Sequence, residues 1–208
     1  ALYVGWTDYR IETSDRPVFA IVKKNYHRHL RFLVNGVPLD STDYCRANYV
    51  NGLRIYSLRD HRWGDHAELA LQVVALPDCE GAIWLFDDRQ FDSPATFRAE
   101  LCAIANPNLH RNGDIGADKP GVFEASSKRE NLVTREWKGG HETYFVIDSI
   151  NQVTEITEEE GRALFLKAVM HNGQLTSRLQ FQTPDPYINT LGGALMLAAD
   201  GDWDGQTW

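Results

Sequence analysis

Over its first two-thirds the chain repeats one pattern, short apolar or alternating runs each closed by Gly, Pro, Asn or Asp. This is the pattern of many antiparallel strands, and the expected fold is mainly β, an antiparallel β-sandwich. Strands are expected over residues 2–12, 18–23, 30–34, 53–58, 68–76, 82–86, 132–137 and 143–147. Asn35-Gly36 tolerates the positive φ of a tight hairpin, joining residues 30–34 to residues 37–39. Phe97 to Ala105 suits a helix by propensity and a strand by apolar content, with strand preferred. From Asn106 to Gly121, turn formers with little apolar content predict a long loop, and long loops on a rigid sheet often carry function.

The texture changes at Thr157. Thr157 with Glu160 makes a capping box, acids fill the first turn, and Leu164, Phe165, Ala168 and Val169 form one apolar face. This helix is expected to end near Asn172-Gly173. A second begins at Pro186, with Asp185 as its cap. From Leu191 to Ala199 no side chain is polar, and a helix apolar on every side must be enclosed on most of them. It is too short to span a bilayer. Gly192-Gly193 points to close approach by another backbone, and no earlier segment stands out as that neighbour. The expected divisions are a sandwich over 1–156, a linker helix and connector over 157–182, and the start of a further helical domain over 183–208.

A net charge of −8 argues against a general nucleic-acid binder, which needs a basic surface. Cys45, Cys79 and Cys102 are odd in number and widely spaced, which fits buried thiols better than a disulfide framework or a zinc site. No P-loop, GxSxG, HExxH or dinucleotide fingerprint occurs, and neither cofactor nor metal is expected. His27 and His29 would share one face of a strand, yet Lys23, Lys24, Arg28 and Arg31 around them repel a cation, so a solvated basic strand is expected.

The stretch from Arg59 to His66 gathers His61, Arg62, Trp63 and His66 near Gly64, the groups that stack on and hydrogen-bond to a sugar. Against this stands a hairpin end with Trp63 folded onto the sandwich, which is preferred. Trp137 and His141 flank Gly139-Gly140 as second-rank carbohydrate contacts. Asp87 and Asp88 are adjacent, so on a strand they face opposite ways, and a turn with an Asp87 or Asp88 ion pair to Arg89 is expected rather than an acid/base couple. No catalytic residue emerges.

The segment Thr183-Pro184-Asp185-Pro186, with Asn189 shortly after, resembles the junction in six-hairpin glycosidase-like proteins, where a β-sandwich hands over to an (α/α) toroid. Together with the opening ALYVGWTDYRIETSDRPVFAIV, it resembles a bacterial N-terminal domain family of unknown function that precedes such toroids. The resemblance implies a supersandwich-like fold and a non-catalytic role beside a glycoside hydrolase acting on polysaccharide or oligosaccharide, in the periplasm or secreted. It implies that Pro186, Asn189, Leu191, Leu195 and Leu197 meet the toroid, with possible glycan contact, no membrane span and self-association of the fragment as further expectations. The alternative is a free-standing carbohydrate-binding sandwich.

Overall fold

The computed structural model describes residues 2–3, 9–23, 26–105, 124–149, 152–203 and 206, and the loop expected over 106–121 lies outside them. The strands are β1 (Leu2–Tyr3), β2 (Tyr9–Thr13), β3 (Val18–Lys23), β4 (Tyr26–Val34), β5 (Val37–Pro38), β6 (Tyr44–Val50) and β7 (Leu53–Arg59). They continue as β8 (Glu68–Ala75), β9 (Ala82–Asp87), β10 (Thr96–Ala103), β11 (Val133–Lys138), β12 (Glu142–Ser149) and β13 (Gln152–Ile156). Helices α1 (Glu158–Thr176) and α2 (Pro186–Asp202) follow. One sheet runs β1-β2-β3-β4-β10-β11 with β5 beside β4, the other β13-β12-β9-β8-β7-β6.

The sandwich follows from alternation. Leu30, Phe32 and Val34 of β4 and Phe97, Ala99 and Leu101 of β10 turn inward from the first sheet. Tyr56, Leu58, Leu69, Leu71, Val73, Trp84, Phe86 and Phe145 meet them from the second. Trp84 sits among them with ring centroids 5.6 Å from Phe19 and 5.9 Å from Phe32. Asn35 and Gly36 have φ of 49° and 79°, the left-handed pair that a tight hairpin demands, as expected. Asn51 and Gly52, with φ of 49° and 75°, repeat the device between β6 and β7.

The segment expected as a strand over Phe97 to Ala105 supplies β10, which ends at Ala103, but the strand expected over 2–12 is two, β1 and β2, paired antiparallel. The solvated basic strand is corrected too, because Arg28 and His29 are only 3% and 4% exposed. Both lie mid-sheet, His29 between Ala20 and Cys102 and Arg28 between Ile21 and Ala103. Burial is tolerable for Arg28 because its guanidinium donates to the carbonyls of Asn131 (2.7 Å) and Leu101 (3.3 Å).

A second core lies on the outer face of the second sheet, where Phe165 and Ala168 of α1 pack on Val74, Ile83, Leu85, Tyr144 and Val146. The expected capping box of Thr157 and Glu160 starts α1. The helix runs past Asn172-Gly173, where its end was expected, because Leu175 is buried (3% exposed) and anchors one more turn. The neighbour of the α2 glycine pair lies within the chain. A Cβ on Gly192 would come 2.3 Å from the Leu179 carbonyl oxygen, and one on Gly193 would come 3.1 Å from Thr176. Among the described residues no helix is long and apolar enough to cross a membrane.

Candidate functional site

Three turns meet at one end of the sandwich and carry most of the expected ligand contacts. In the β7–β8 turn, residues His61–Trp63 form one 3-10 turn capped by Asp60. Asp60 is buried, and its two oxygens accept from Arg62 Nε (2.6 Å) and Nη2 (2.7 Å), while Arg62 N–H adds a third bond (3.0 Å). Asp43 accepts from the His61 backbone N–H at 3.0 Å and lies 2.6 Å from His61 Nδ1. His61, Arg62 and His66 are exposed. Trp63 is half-buried: its indole N–H donates to the Val34 carbonyl (3.0 Å) and its ring lies 5.4 Å from that of Phe91. The turn is thus a hairpin end pinned to the sandwich by Trp63, with its polar groups outward.

Phe91 belongs to the β9–β10 turn, which is tied in turn to the β11–β12 turn. Asp88, 3% exposed, accepts from the backbone N–H of Ala95 (3.1 Å) and of His141 (3.0 Å). Gly139 is required beside it, since a Cβ there would come 2.4 Å from Asp88 Oδ2 and 2.5 Å from the Phe97 ring. The result holds His141 exposed at φ 82°, a conformation that few non-glycine residues adopt. Asp87 pairs with Arg89, whose Nε lies 2.8 Å from Oδ1, the ion pair anticipated for this turn. Trp137 does not join His141 at the surface. It is 8% exposed and stacks on Phe97 with centroids 5.7 Å apart.

Chemically, this end of the molecule presents exposed imidazole and guanidinium groups but shows no acid/base pair among the described residues. Asp87 is held by Arg89, Asp60 by Arg62, and Glu68 faces Arg59 at 3.8 Å. The Arg89 guanidinium holds the Asp87 carboxyl below its usual range, and the His61 backbone and ring do the same for Asp43. Asp43, Asp60 and His61 bring three ligand atoms within 4.8 Å of one another. Arg62 occupies both Asp60 oxygens and opposes a cation there.

The Arg62 hydrogen bonds lower the Asp60 carboxyl to about 2. A depressed folded-state value means that this stabilisation is present above the unfolded value near 4 and is lost as pH falls through about 2. Arg62 is 43% exposed and the pair is screened, which limits the contribution to about 1 kcal/mol or less. Acid titration of stability should show a loss of that size between about pH 4 and pH 2, and Asp60→Asn should remove that segment of the curve.

The third group of expected residues lies on α2. Asn189 works within the Thr-Pro-Asp-Pro turn: its Oδ1 accepts from the Thr183 N–H (2.7 Å) and its Nδ2 donates to the Thr183 carbonyl (3.0 Å). Asp185 caps the helix through the Tyr187 N–H at 2.8 Å, with Pro186 at the first turn. Leu191 and Leu195 are 48% and 52% exposed, on one stripe with Tyr187 (83%) and Ile188 (42%), which sequence reading left out. The spacing 188, 191, 195 could have revealed Ile188. Leu197 turns to the other side, where a Cβ on Gly52 would meet it at 3.4 Å.

The architecture defines an antiparallel two-sheet sandwich with a helical layer on one face. Residues 29–175, from β4 to the last turn of α1, match the domain of unknown function DUF4450, and the chain belongs to that family. No curated protein and no solved structure matches it.

Proposed function

We propose that this chain is a non-catalytic sandwich module that packs on a helical toroid domain of the same protein, a glycoside hydrolase acting on polysaccharide or oligosaccharide in the periplasm or outside the cell. The observation that carries this reading is the open apolar stripe of Tyr187, Ile188, Leu191 and Leu195 along α2. Ile188, Leu191 and Leu195 are already about half covered, so covering the rest of each would contribute about 1 kcal/mol, whereas leaving them in water favours association. A helix following a Thr-Pro-Asp-Pro junction supports the toroid as the cover, with α2 as its first helix. The catalytic carboxylates would belong to that toroid. The alternative, a free-standing carbohydrate-binding sandwich, requires an open aromatic platform, which the buried Trp137 and half-buried Trp63 do not supply.

The purified 208-residue chain should turn over no aryl glycoside. It should self-associate in sedimentation experiments, and the pair Leu191→Asp and Leu195→Asp should make it monomeric. Turnover abolished by a single Asp or Glu substitution, or identical sedimentation of both proteins, contradicts the proposal.

A further inference from the structure

Sheets that end without closing expose backbone edges. Among the described residues β11 ends the first sheet and β13 the second, and a cleft of about 420 Å³ opens between them. Its floor is Trp137, Phe145 and Val153, and Arg135, Glu136 and Glu155 stand at its rim. The register shows which of these point inward. Arg135 lies opposite Ala99 and Trp137 opposite Phe97, both core residues, so the two share the inner face of the first sheet. Glu155 lies opposite Phe145 and shares the inner face of the second.

Neither inward charge is neutralised within the described residues. Arg135 donates to the carbonyl of its neighbour Thr134 (3.1 Å), and neither it nor Glu155 forms an ion pair. The indole N–H of Trp137 is buried without an acceptor. An inward charge on an edge strand can serve simply to discourage pairing. Here two opposite charges flank one apolar floor of ligand-sized volume, an arrangement suited to reading a sequence. At 8% exposure the Trp137 ring offers no open face on which a sugar could stack. Extended polypeptide needs what the cleft does supply: an edge that no described strand pairs, an apolar floor and a charge on the same face. A strand added about 4.8 Å from β11 would lie in the plane of the first sheet and turn alternate side chains into the gap of about 10 Å between the sheets.

We propose that the cleft binds an extended polypeptide segment that adds to β11 as an antiparallel strand. An apolar side chain of the segment packs on Val153 beside the covered Trp137 ring, and an acidic one, two residues later, lies opposite Arg135. Glu155, on the facing sheet, disfavours an all-acidic segment, so the sequence read is mixed rather than polyanionic. This site is independent of the α2 stripe.

The test is an NMR titration of the isotopically labelled 208-residue chain with the peptide acetyl-TTLTETT-amide and with its lysine counterpart acetyl-TTLTKTT-amide. Saturable shifts should centre on the amides of Val133–Lys138 and the Trp137 indole. The glutamate peptide should bind more tightly by about tenfold or more. Arg135→Glu, at an exposed position, should reverse that preference while leaving distant resonances in place. No saturable shift, equal affinity for both peptides, or a preference unchanged by Arg135→Glu overturns the proposal. So does a glucan oligosaccharide that shifts these resonances when neither peptide does.

Discussion

Gly161→Ala should destabilise the protein by about 2–3 kcal/mol, although in an exposed helix the same change stabilises by up to about 1 kcal/mol. The sign is set by Tyr144. A Cβ at position 161 would come 2.2 Å from one Tyr144 side-chain carbon and 2.4 Å from another, and that ring is 2% exposed with no room to withdraw. Relief requires α1 to lift from the second sheet, opening the packing of Phe165 and Ala168 on Val74, Ile83 and Val146. Chemical denaturation at unchanged slope measures the loss. A variant as stable as the parent would mean that α1 is a loose connector and the second core contributes little.

Asp88→Ala should cost about 2–4 kcal/mol, because it strips the acceptor from the Ala95 and His141 N–H groups while the surroundings stay buried. Asp88→Asn keeps one acceptor but turns its NH2 toward the other N–H, because the two bonds use different carboxylate oxygens, so it should recover only part of the loss. The variants also separate two roles of the three-turn end. If Asp88 acts as the staple between the β9–β10 and β11–β12 turns, both variants should broaden or shift the His141 resonances while leaving those of His61, fixed by Asp43, unchanged. Equal stability of Asp88→Ala and the parent would remove the staple from the account.

The parts of the fold legible in the sequence are those set by short-range chemistry. Asn35-Gly36 announced its hairpin and Thr157 with Glu160 announced a helix start, since both depend on residues within one turn. Asn51-Gly52 carries the same hairpin signal as Asn35-Gly36, and reading it would have revealed β6, whose exposed Tyr44, Arg46 and Asn48 hid the strand among polar residues. Burial was less legible because it depends on cross-strand neighbours. Arg28 and His29 look solvated until β3 and β10 are placed beside them. Trp137 looks like a loop aromatic until Phe97 and Phe145 enclose it. The Gly192-Gly193 pair did report a close backbone contact, but the Leu179 carbonyl that makes it lies in a segment with no periodicity to mark it.

The reading of α2 as a docking helix makes its amides the most informative probes in the molecule. In the 208-residue chain its inner side rests on Leu179 and Thr176 while Leu191 and Leu195 face water. Local opening should therefore cost little compared with global unfolding. The direct measurement is hydrogen exchange across residues 188–199, comparing this chain with the polypeptide expressed from its natural gene to that gene's own end. Covered by a helical domain, these amides should exchange about 100-fold more slowly, the protection expected from about 2.7 kcal/mol of added packing on Ile188, Leu191 and Leu195 together. Equal exchange rates in the two polypeptides would show that nothing docks on the stripe, and would contradict the proposal that this sandwich serves as the partner of a toroid.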